Sequence, residues 1–146
     1  MNFSKACEYG IRATLYIAQQ SLNKERASLK DIAQEIDAPE AYTAKILQHL
    51  VKSEIIKSIQ GARGGFNIEK KSLKSIKLIQ IVQAIDGNIY ENTCILGLKA
   101  CSETHPCPVH DQYKHIKKDM LSMLKNTNVL QMTTSLNEGL TCLKIH

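Results

Sequence analysis

The sequence predicts a mainly α-helical fold that contains one short β-hairpin and ends in a long helix. Apolar residues recur every three to four positions in several separate stretches, as they do in amphipathic helices. A short β-branched run precedes the glycine-rich segment 61–65, and Phe66 and Ile68 follow it, which is typical of a hairpin. The helical spacing stops near residue 88 and resumes near residue 109, over a stretch long enough for several helical turns.

The composition indicates one small domain without a membrane segment. Of the 146 residues, 43% are hydrophobic, 5% are aromatic and none is Trp, so we expect a single aliphatic core. No stretch approaches the ~18 apolar residues of a membrane span. Lys5, Glu8 and Arg12 interrupt the N-terminal apolar pattern, which argues against a signal peptide, so we expect a cytoplasmic protein. The net charge of +5 suits a polyanionic partner.

Three helices are predicted before residue 54. The first covers about residues 4–21, the second begins at Ser28, where Ser28 and Asp31 resemble a capping box, and the third begins at Pro39 and ends near residue 53. Within the third helix we expect Tyr42, Ile46 and Leu50 to face inward. Two short helices joined by a tight turn, the second rich in polar groups, are typical of a helix-turn-helix, although an ordinary αα-hairpin has the same pattern.

A hairpin directly after the third helix favours the helix-turn-helix interpretation. The β-branched residues 55, 56 and 59 and the residues 66–68 are predicted to form its strands, and Arg63 lies at the tip between them. This arrangement is typical of the wing of a winged helix, whose tip Arg can enter the narrow, negative minor groove of DNA. A plain surface turn with one solvated Arg is the alternative.

The C-terminal half predicts a helix over about residues 75–86, an irregular segment and a long amphipathic helix. The apolar stripe of the long helix needs a partner, and a homodimer would supply one, with packing against its own domain as the alternative. The polar segment after Asn128 is expected to be a loosely held tail. We therefore expect a winged helix-turn-helix DNA-binding domain at 1–87, a loop at 88–108, a dimerisation helix at 109–127 and a tail at 128–146.

The loop carries three of the five cysteines, in the pattern C-x6-C-x5-C-x2-H formed by Cys94, Cys101, Cys107 and His110. Thiolates are soft ligands, and three sulfurs with one imidazole suit an iron–sulfur cluster or a tetrahedral zinc ion. Thiol–disulfide sensing without metal and buried filler cysteines are the alternatives. His105 could replace His110, although Pro106 restricts its approach. Cys7 and Cys142 lie far from this pattern in the sequence and are expected to be bystanders.

The residues predict a DNA-contacting surface and no catalytic machinery. There is no dinucleotide-binding or P-loop motif and no acid–base pair, so we expect no enzyme, and an iron–sulfur electron-transfer protein is the remaining rival. We expect base contacts from the third helix and wing contacts in the minor groove, with phosphate contacts from the first two helices. The expected base contacts are Tyr42, Thr43, Lys45 and Gln48, and the expected wing contacts are Gln60 and Arg63. The expected phosphate contacts are Lys5, Ser28 and Lys30.

The order and spacing of several short motifs resemble the Rrf2 family of bacterial transcription regulators, which includes the IscR and NsrR types. The likeness covers about residues 1–127, and it rests on Tyr9, the Asp31-Ile32-Ala33 run, Tyr42, the Ser58-x-x-Gly61-x-x-Gly64-Gly65-Phe66 wing and the three-cysteine loop before a long helix. The resemblance implies a DNA-binding homodimer with crossed long helices, and it adds Tyr9 to the predicted DNA contacts.

The resemblance also implies a cofactor, an iron–sulfur cluster of the 2Fe-2S or 4Fe-4S type. Its cysteine ligands would be Cys94, Cys101 and Cys107. In the iron–sulfur-biogenesis branch the fourth ligand is a His that matches His110, whereas in nitric-oxide-sensing and redox-sensing relatives it is an acidic residue of the partner subunit at the place of Glu8. Cluster loss, oxidation or nitrosylation would then change the operator affinity.

This sequence departs from the family pattern at the surface that reads DNA. The wing has Gln60 where an Arg is usual, with Arg63 three residues later, and the third helix has Ala44 in place of an acidic selector residue. The operator sequence of relatives therefore does not transfer to this chain.

Overall fold

The computed structural model describes residues 3–144, apart from the side chain of residue 89, and it confirms the mainly helical fold. Its helices and strands follow in the order α1 (Lys5–Leu22), α2 (Leu29–Ile36), α3 (Glu40–Lys52), β1 (Lys57–Ile59), β2 (Gly65–Asn67), α4 (Leu78–Asp86), α5 (Ile89–Asn92), α6 (His110–Asn126) and α7 (Val129–Asn137). A short 3-10 turn at Lys70–Ser72 joins β2 to α4. None of the helices within residues 3–144 is both long enough and apolar enough to cross a membrane.

Side-chain caps define where the first helices begin. The Ser4 hydroxyl accepts a hydrogen bond from the backbone N–H of Cys7 and caps α1. The Ser28 hydroxyl accepts one from the backbone N–H of Asp31, as the sequence predicted for α2. Pro39 is the residue before α3 rather than its first residue, so the predicted start was one position early. These caps satisfy N–H groups that have no partner inside the helix.

Helix α1 lies at the centre of the molecule and packs against α2, α3, α4 and α7. Its buried side chains include Ile17, which has no exposed surface. Gly10 allows α4 to come close, because a Cβ at this position would lie 2.7 Å from the Ile85 side chain. The core is aliphatic, as the composition predicted, with Ile32, Ile36, Leu47, Leu50 and Ile81 among its fully buried members.

Strands β1 and β2 form the predicted antiparallel hairpin, with Ser58 paired to Phe66. Ala27, in the segment before α2, adds an isolated bridge to Phe66 and so joins the wing to the helical core. Ile55 and Ile56 precede β1 and are buried in the core, so the predicted strand began too early. Gly65 has a φ of +144°, and a Cβ there would lie 2.7 Å from the Ala27 carbonyl oxygen. The wing therefore needs glycine at this position.

The second half of the chain corrects two predictions. Helix α4 begins at Leu78 rather than Ser75, because residues 70–77 form a turn that pairs with the segment before α7. At the end of this turn, the Leu78 N–H donates a hydrogen bond to the Thr127 carbonyl at 2.8 Å. The expectation of a loosely held tail is wrong for Val129–Asn137, which form α7. Val129 and Thr133 are fully buried, and the Thr133 hydroxyl donates to the Val129 carbonyl at 2.7 Å.

Candidate nucleic-acid interface and cysteine site

Helix α3 presents three of its four predicted DNA-contacting side chains to solvent. Tyr42, Lys45 and Gln48 are exposed and are spaced by three residues, so they lie along one side of the helix. The expectation that Tyr42 faces inward with Ile46 and Leu50 is therefore wrong. Thr43 is fully buried, and its hydroxyl donates to the Pro39 carbonyl at 2.9 Å. The prediction of a base contact is therefore wrong for Thr43, whose position in the helix turns it towards the core.

An aromatic and basic cluster joins the first turns of α1 to the start of α3. The rings of Tyr9 and Tyr42 meet edge to face with their centroids 5.8 Å apart. Lys5 and Arg12 lie over the Tyr9 ring, at 5.3 Å and 5.8 Å from its centroid. Arg12 was not among the predicted contacts, although its spacing of three from Tyr9 and seven from Lys5 places all three on one helix face.

The remaining predicted contacts lie at the start of α2 and in the wing. Ser28 is half-buried as the α2 cap, and Lys30 is exposed in the first turn, where the helix dipole favours an anion such as phosphate. Gln60 and Arg63 are exposed in the wing. Sequence reasoning missed Arg26, whose guanidinium donates to the Arg63 carbonyl at 2.6 Å and so supports the tip of the wing.

Cys94 lies in a turn that favours its thiolate. Hydrogen bonds from the backbone N–H groups of Leu98 and then Leu96 lower the pKa of the Cys94 thiol, and Cys107 and Gly97 add to this effect. Gly97 has a φ of +80°, a conformation that allows the chain to fold around the sulfur at little steric penalty. Cys94 is 4% exposed, so this thiol is sheltered within the loop.

The other two cysteines lie close to Cys94 and to the start of α6. Burial raises the pKa of the Cys107 thiol, and the side chain and charge of Cys94, with the charge of Cys101, raise it further. Cys101 Sγ lies 3.5 Å from His110 Nδ1. Burial, with the charges of Cys101 and Cys94, also raises the pKa of Tyr113, which marks Tyr113 as a neighbour of the site that sequence reasoning missed.

The four predicted donors therefore lie in two neighbouring pairs, Cys94 with Cys107 and Cys101 with His110. Within residues 3–144 no three His, Cys, Asp or Glu side chains converge closely enough to form a metal site as they stand. The donor set still fits a soft metal centre, because it offers three thiols and one imidazole. His110 is 5% exposed, and its Nε2 atom is buried without a hydrogen-bond partner.

The remaining candidate residues lie apart from these two donor pairs. Glu8 is in the first turn of α1 and pairs with Lys5 at 3.4 Å. Cys7 is fully buried in α1, and Cys142 is exposed after α7. His105 is exposed, with Nδ1 3.1 Å from the Thr104 hydroxyl, so this nitrogen has a partner other than the thiols.

The helix pair, the hairpin and the exposed polar side of α3 define a winged helix-turn-helix DNA-binding protein. A family model described as Rrf2, iron-dependent transcriptional regulator, matches residues 3–135. The chain belongs to this family of DNA-binding transcriptional regulators, which are not enzymes.

Individual relatives agree with this assignment. The chain is 30% identical over 132 residues to an HTH-type transcriptional regulator of Aquifex aeolicus, covering 88% of this chain and 89% of the relative. It is 29% identical over 127 residues to NsrR of Oceanobacillus iheyensis, covering 86% and 82%. Among solved structures, CymR (YrzC), the global cysteine regulator of B. subtilis, has a TM-score of 0.75 at 21% identity, with 92% of this chain and 97% of CymR covered. IscR of T. potens has a TM-score of 0.72 at 20% identity, with 99% and 94% covered.

Proposed function

We propose that this protein is a homodimeric regulator whose affinity for operator DNA is controlled by an iron–sulfur cluster bound at Cys94, Cys101, Cys107 and His110. The observation that carries the proposal is the neighbourhood of these side chains between the winged domain and α6, with Cys101 Sγ 3.5 Å from His110 Nδ1 and with the thiols of Cys94 and Cys107 close enough to shift each other's pKa. The description of the family as iron-dependent and the similarity to NsrR and IscR support iron over zinc.

The turn around Cys94 and the position of His110 would each help to hold the cluster. The backbone N–H groups around Gly97 stabilise the Cys94 thiolate, which is the ligating form of cysteine. His110 is the first residue of α6, so ligation there would join the loop to this helix. A bound cluster would supply a redox-active group that also reacts with nitric oxide. In an alternative arrangement Glu8 of the partner subunit replaces His110 as the fourth ligand.

The DNA-binding surface combines a helix for the major groove with a wing for the minor groove. We assign base contacts to Tyr42, Lys45 and Gln48, and minor-groove contacts to Gln60 and Arg63. Phosphate contacts come from the first turns of α1 and α2, through Lys5, Tyr9, Arg12, Ser28 and Lys30. A two-fold dimer would read half-sites about 10 base pairs apart, or a multiple of this spacing.

The homodimer is supported by apolar side chains that the single chain leaves exposed. Ile116 and Met123 on α6 are 59% and 49% exposed, although they continue the apolar stripe of that helix. Ile95, Leu96 and Leu98 in the cysteine loop are also about half exposed. A second copy of the chain would cover these groups, because two-fold dimers bury the same patch of both subunits.

A thiol-based regulator without a cluster is the second candidate. The contact between Cys94 and Cys107 favours it, because the lowered pKa of Cys94 increases the fraction of nucleophilic thiolate next to a second thiol. The similarity in fold to CymR, the global cysteine regulator of B. subtilis, agrees with either candidate. A zinc-stabilised regulator would use the same four donors.

The visible spectrum and the iron and sulfide content of anaerobically purified protein separate these candidates. We expect a brown wild type with stoichiometric iron and sulfide, and a colourless Cys101→Ala variant. Cys142→Ala is the matched control, because Cys142 is exposed outside the loop, and it should keep the colour. Colourless wild-type protein that contains zinc, or that stays metal-free after anaerobic reconstitution with iron and sulfide, would contradict the cluster and favour one of the other two candidates.

A further inference from the structure

We propose that Glu103 is a positioning residue that keeps His110 protonated at Nε2 and leaves its Nδ1 lone pair directed at the cysteine site. The inference rests on the proposed function in one respect, namely that His110 is a ligand of the group held by the loop. It concerns how the imidazole is held, and it can be tested on protein that contains no metal.

The first observation is the environment of the His110 ring. The side chain is 5% exposed, and its two nitrogens face different groups. Nδ1 lies 3.5 Å from Cys101 Sγ. Nε2 is buried and has no partner of hydrogen-bond geometry among the residues that the structure describes. Because buried polar atoms in proteins nearly always have a partner, this nitrogen requires one.

Glu103 is the acceptor next to this nitrogen. Its Oε1 lies 3.4 Å from His110 Nε2, which is an ion-pair distance but exceeds the usual length of a hydrogen bond. A small rotation of the exposed Glu103 side chain would shorten this contact and align the oxygen with the ring N–H. An ionised carboxylate only accepts hydrogen bonds, so a neutral His110 paired with it must carry its proton on Nε2. The lone pair of Nδ1 then faces Cys101.

Contacts on both sides of Glu103 hold it near the ring. The same oxygen lies 3.7 Å from Lys114 Nζ, four residues after His110 on α6. The turn that carries Glu103 is ordered by the Ser102 hydroxyl, which accepts from the His105 N–H at 3.1 Å and lies 3.0 Å from the Thr104 hydroxyl. Since the Glu103 side chain is 73% exposed, its pair with Lys114 is weakly stabilising, and its effect is on the orientation of the ring.

The arrangement has a recognised chemical use. Histidines that bind metals generally donate their second ring N–H to a carboxylate or carbonyl, which fixes the tautomer and makes the ligating nitrogen more basic. Glu103, His110 and Cys101 lie in the order that this use requires, with the carboxylate on one side of the ring and the thiol on the other.

The first test follows the His110 ring by long-range proton–nitrogen NMR of reduced, metal-free protein at a pH where the ring is neutral. We expect Nε2 to be protonated, with a proton that exchanges slowly with water. Glu103→Ala should accelerate this exchange at least ten-fold, while Glu103→Gln, which keeps an acceptor oxygen, should retain protection. Asp111→Asn removes an exposed carboxylate from the first turn of α6 and should leave the exchange rate unchanged. A proton on Nδ1 in the wild type, or exchange within two-fold of wild type in Glu103→Ala, would overturn the inference.

The second test uses Co²⁺ as a visible probe of the four donors under anaerobic conditions. Loss of an outer carboxylate typically lowers metal affinity about 10–100-fold, so Glu103→Ala should bind Co²⁺ more weakly by that factor, and Asp111→Asn should bind it like the wild type. His110→Ala should also change the d–d spectrum. An unchanged spectrum in His110→Ala would contradict the proposed ligand, and the NMR result would still decide the role of Glu103. Unchanged Co²⁺ affinity in Glu103→Ala, together with a changed spectrum in His110→Ala, would overturn the inference alone.

Discussion

In the proposed DNA interface, the role of the wing depends most on Arg63. Its side chain is exposed at the tip, while its carbonyl accepts a hydrogen bond from Arg26 at 2.6 Å, so the backbone is held and the guanidinium is free to enter a groove. We predict that Arg63→Ala weakens operator binding by about 1–3 kcal/mol if it contacts a base.

Fluorescence anisotropy with a labelled operator, measured at several salt concentrations, checks this prediction. A purely phosphate contact would reduce the salt slope by about 1 and weaken all DNA sequences alike. Lys125→Ala is the control, because Lys125 is exposed on α6 and outside the predicted reading surface. Arg63→Ala protein with wild-type affinity and salt slope would remove the wing from the DNA interface.

The pKa of the Cys7 thiol predicts how the stability of the protein changes at alkaline pH. Burial, followed by the charge of Asp86 and a hydrogen bond to it, raises the pKa of this thiol from 9.0 to about 12. The unfolded chain therefore ionises at a lower pH than the folded chain. The contribution of the Cys7 thiol to the stability of the folded state is complete below pH 9, and it is lost as the pH rises from 9 towards 12.

Urea denaturation at pH 8, 9, 10 and 11 measures this effect. We predict that Cys7 contributes a loss of up to about 1.4 kcal/mol in the free energy of unfolding per pH unit above 9. Cys7→Ala should be less stable at pH 8, because it loses buried volume, but its stability should fall less steeply with pH. Equal slopes in both proteins would contradict the assignment.

Helical spacing predicted only part of the exposure pattern of α3, because Tyr42 was expected to face inward and is exposed. Lys45 and Gln48 follow the helical period and are exposed, whereas Thr43 is one position out of phase with Tyr42 and is buried. Arg12 lies three residues after Tyr9, a helical spacing that could have indicated its contact with that ring. Arg26 could not be assigned from spacing, because its role depends on its contact with the Arg63 carbonyl. Such contacts join parts of the chain that are distant in sequence.

At the scale of elements, α6 has apolar side chains of two kinds. Leu124 is fully buried against the rest of the chain, whereas its neighbour Met123 is 49% exposed. We predict that Leu124→Ala lowers the free energy of unfolding by about 2–5 kcal/mol, because it leaves a cavity in the core. Met123→Lys should instead leave the fold intact and weaken self-association, because it places a charge in the proposed dimer interface.

Urea denaturation measures the first effect, and light scattering coupled to gel filtration measures the second. The wild type should have twice the mass of one chain, which is 16.3 kDa, and Met123→Lys should shift towards the mass of a single chain. Met123→Lys protein that remains fully dimeric at micromolar concentration would show that this stripe is not the interface.

The composition of α7 explains why the sequence did not predict this helix. Residues 128–137 contain Thr and Ser, which usually favour loops over helices, so the sequence predicted a loosely held tail. In the structure, Asn128 caps the helix through the backbone N–H of Gln131 at 2.8 Å, and Thr133 satisfies its hydroxyl within the helix. Packing against α1 then compensates for the weak propensity. The long helix α6 was predicted because its apolar period continues for several turns.

At the scale of the whole molecule, Asp86 connects α5 to the start of α1, which carries part of the proposed DNA-binding surface. This last residue of α4 accepts hydrogen bonds from the Ser4 N–H at 3.3 Å and from the Tyr90 hydroxyl at 3.2 Å. Ser4 caps α1, which carries Lys5 and Tyr9, and Tyr90 lies in α5, shortly before Cys94. A change in the loop therefore has a short physical route to the first turn of α1. A cluster controls DNA binding through such a route only if it favours one conformation over another.

The affinity of cluster-loaded and cluster-free protein for the same DNA tests the central claim most directly. The probe is the duplex that the wild type selects from a random-sequence library, with selections run on both forms. We predict that the two forms of the wild type differ in affinity by about 5–150-fold, which is the usual range of allosteric coupling. Cys101→Ala should bind with the affinity of the cluster-free form whether or not iron and sulfide are supplied. Equal affinities of the two wild-type forms for every selected duplex would contradict control by the cluster.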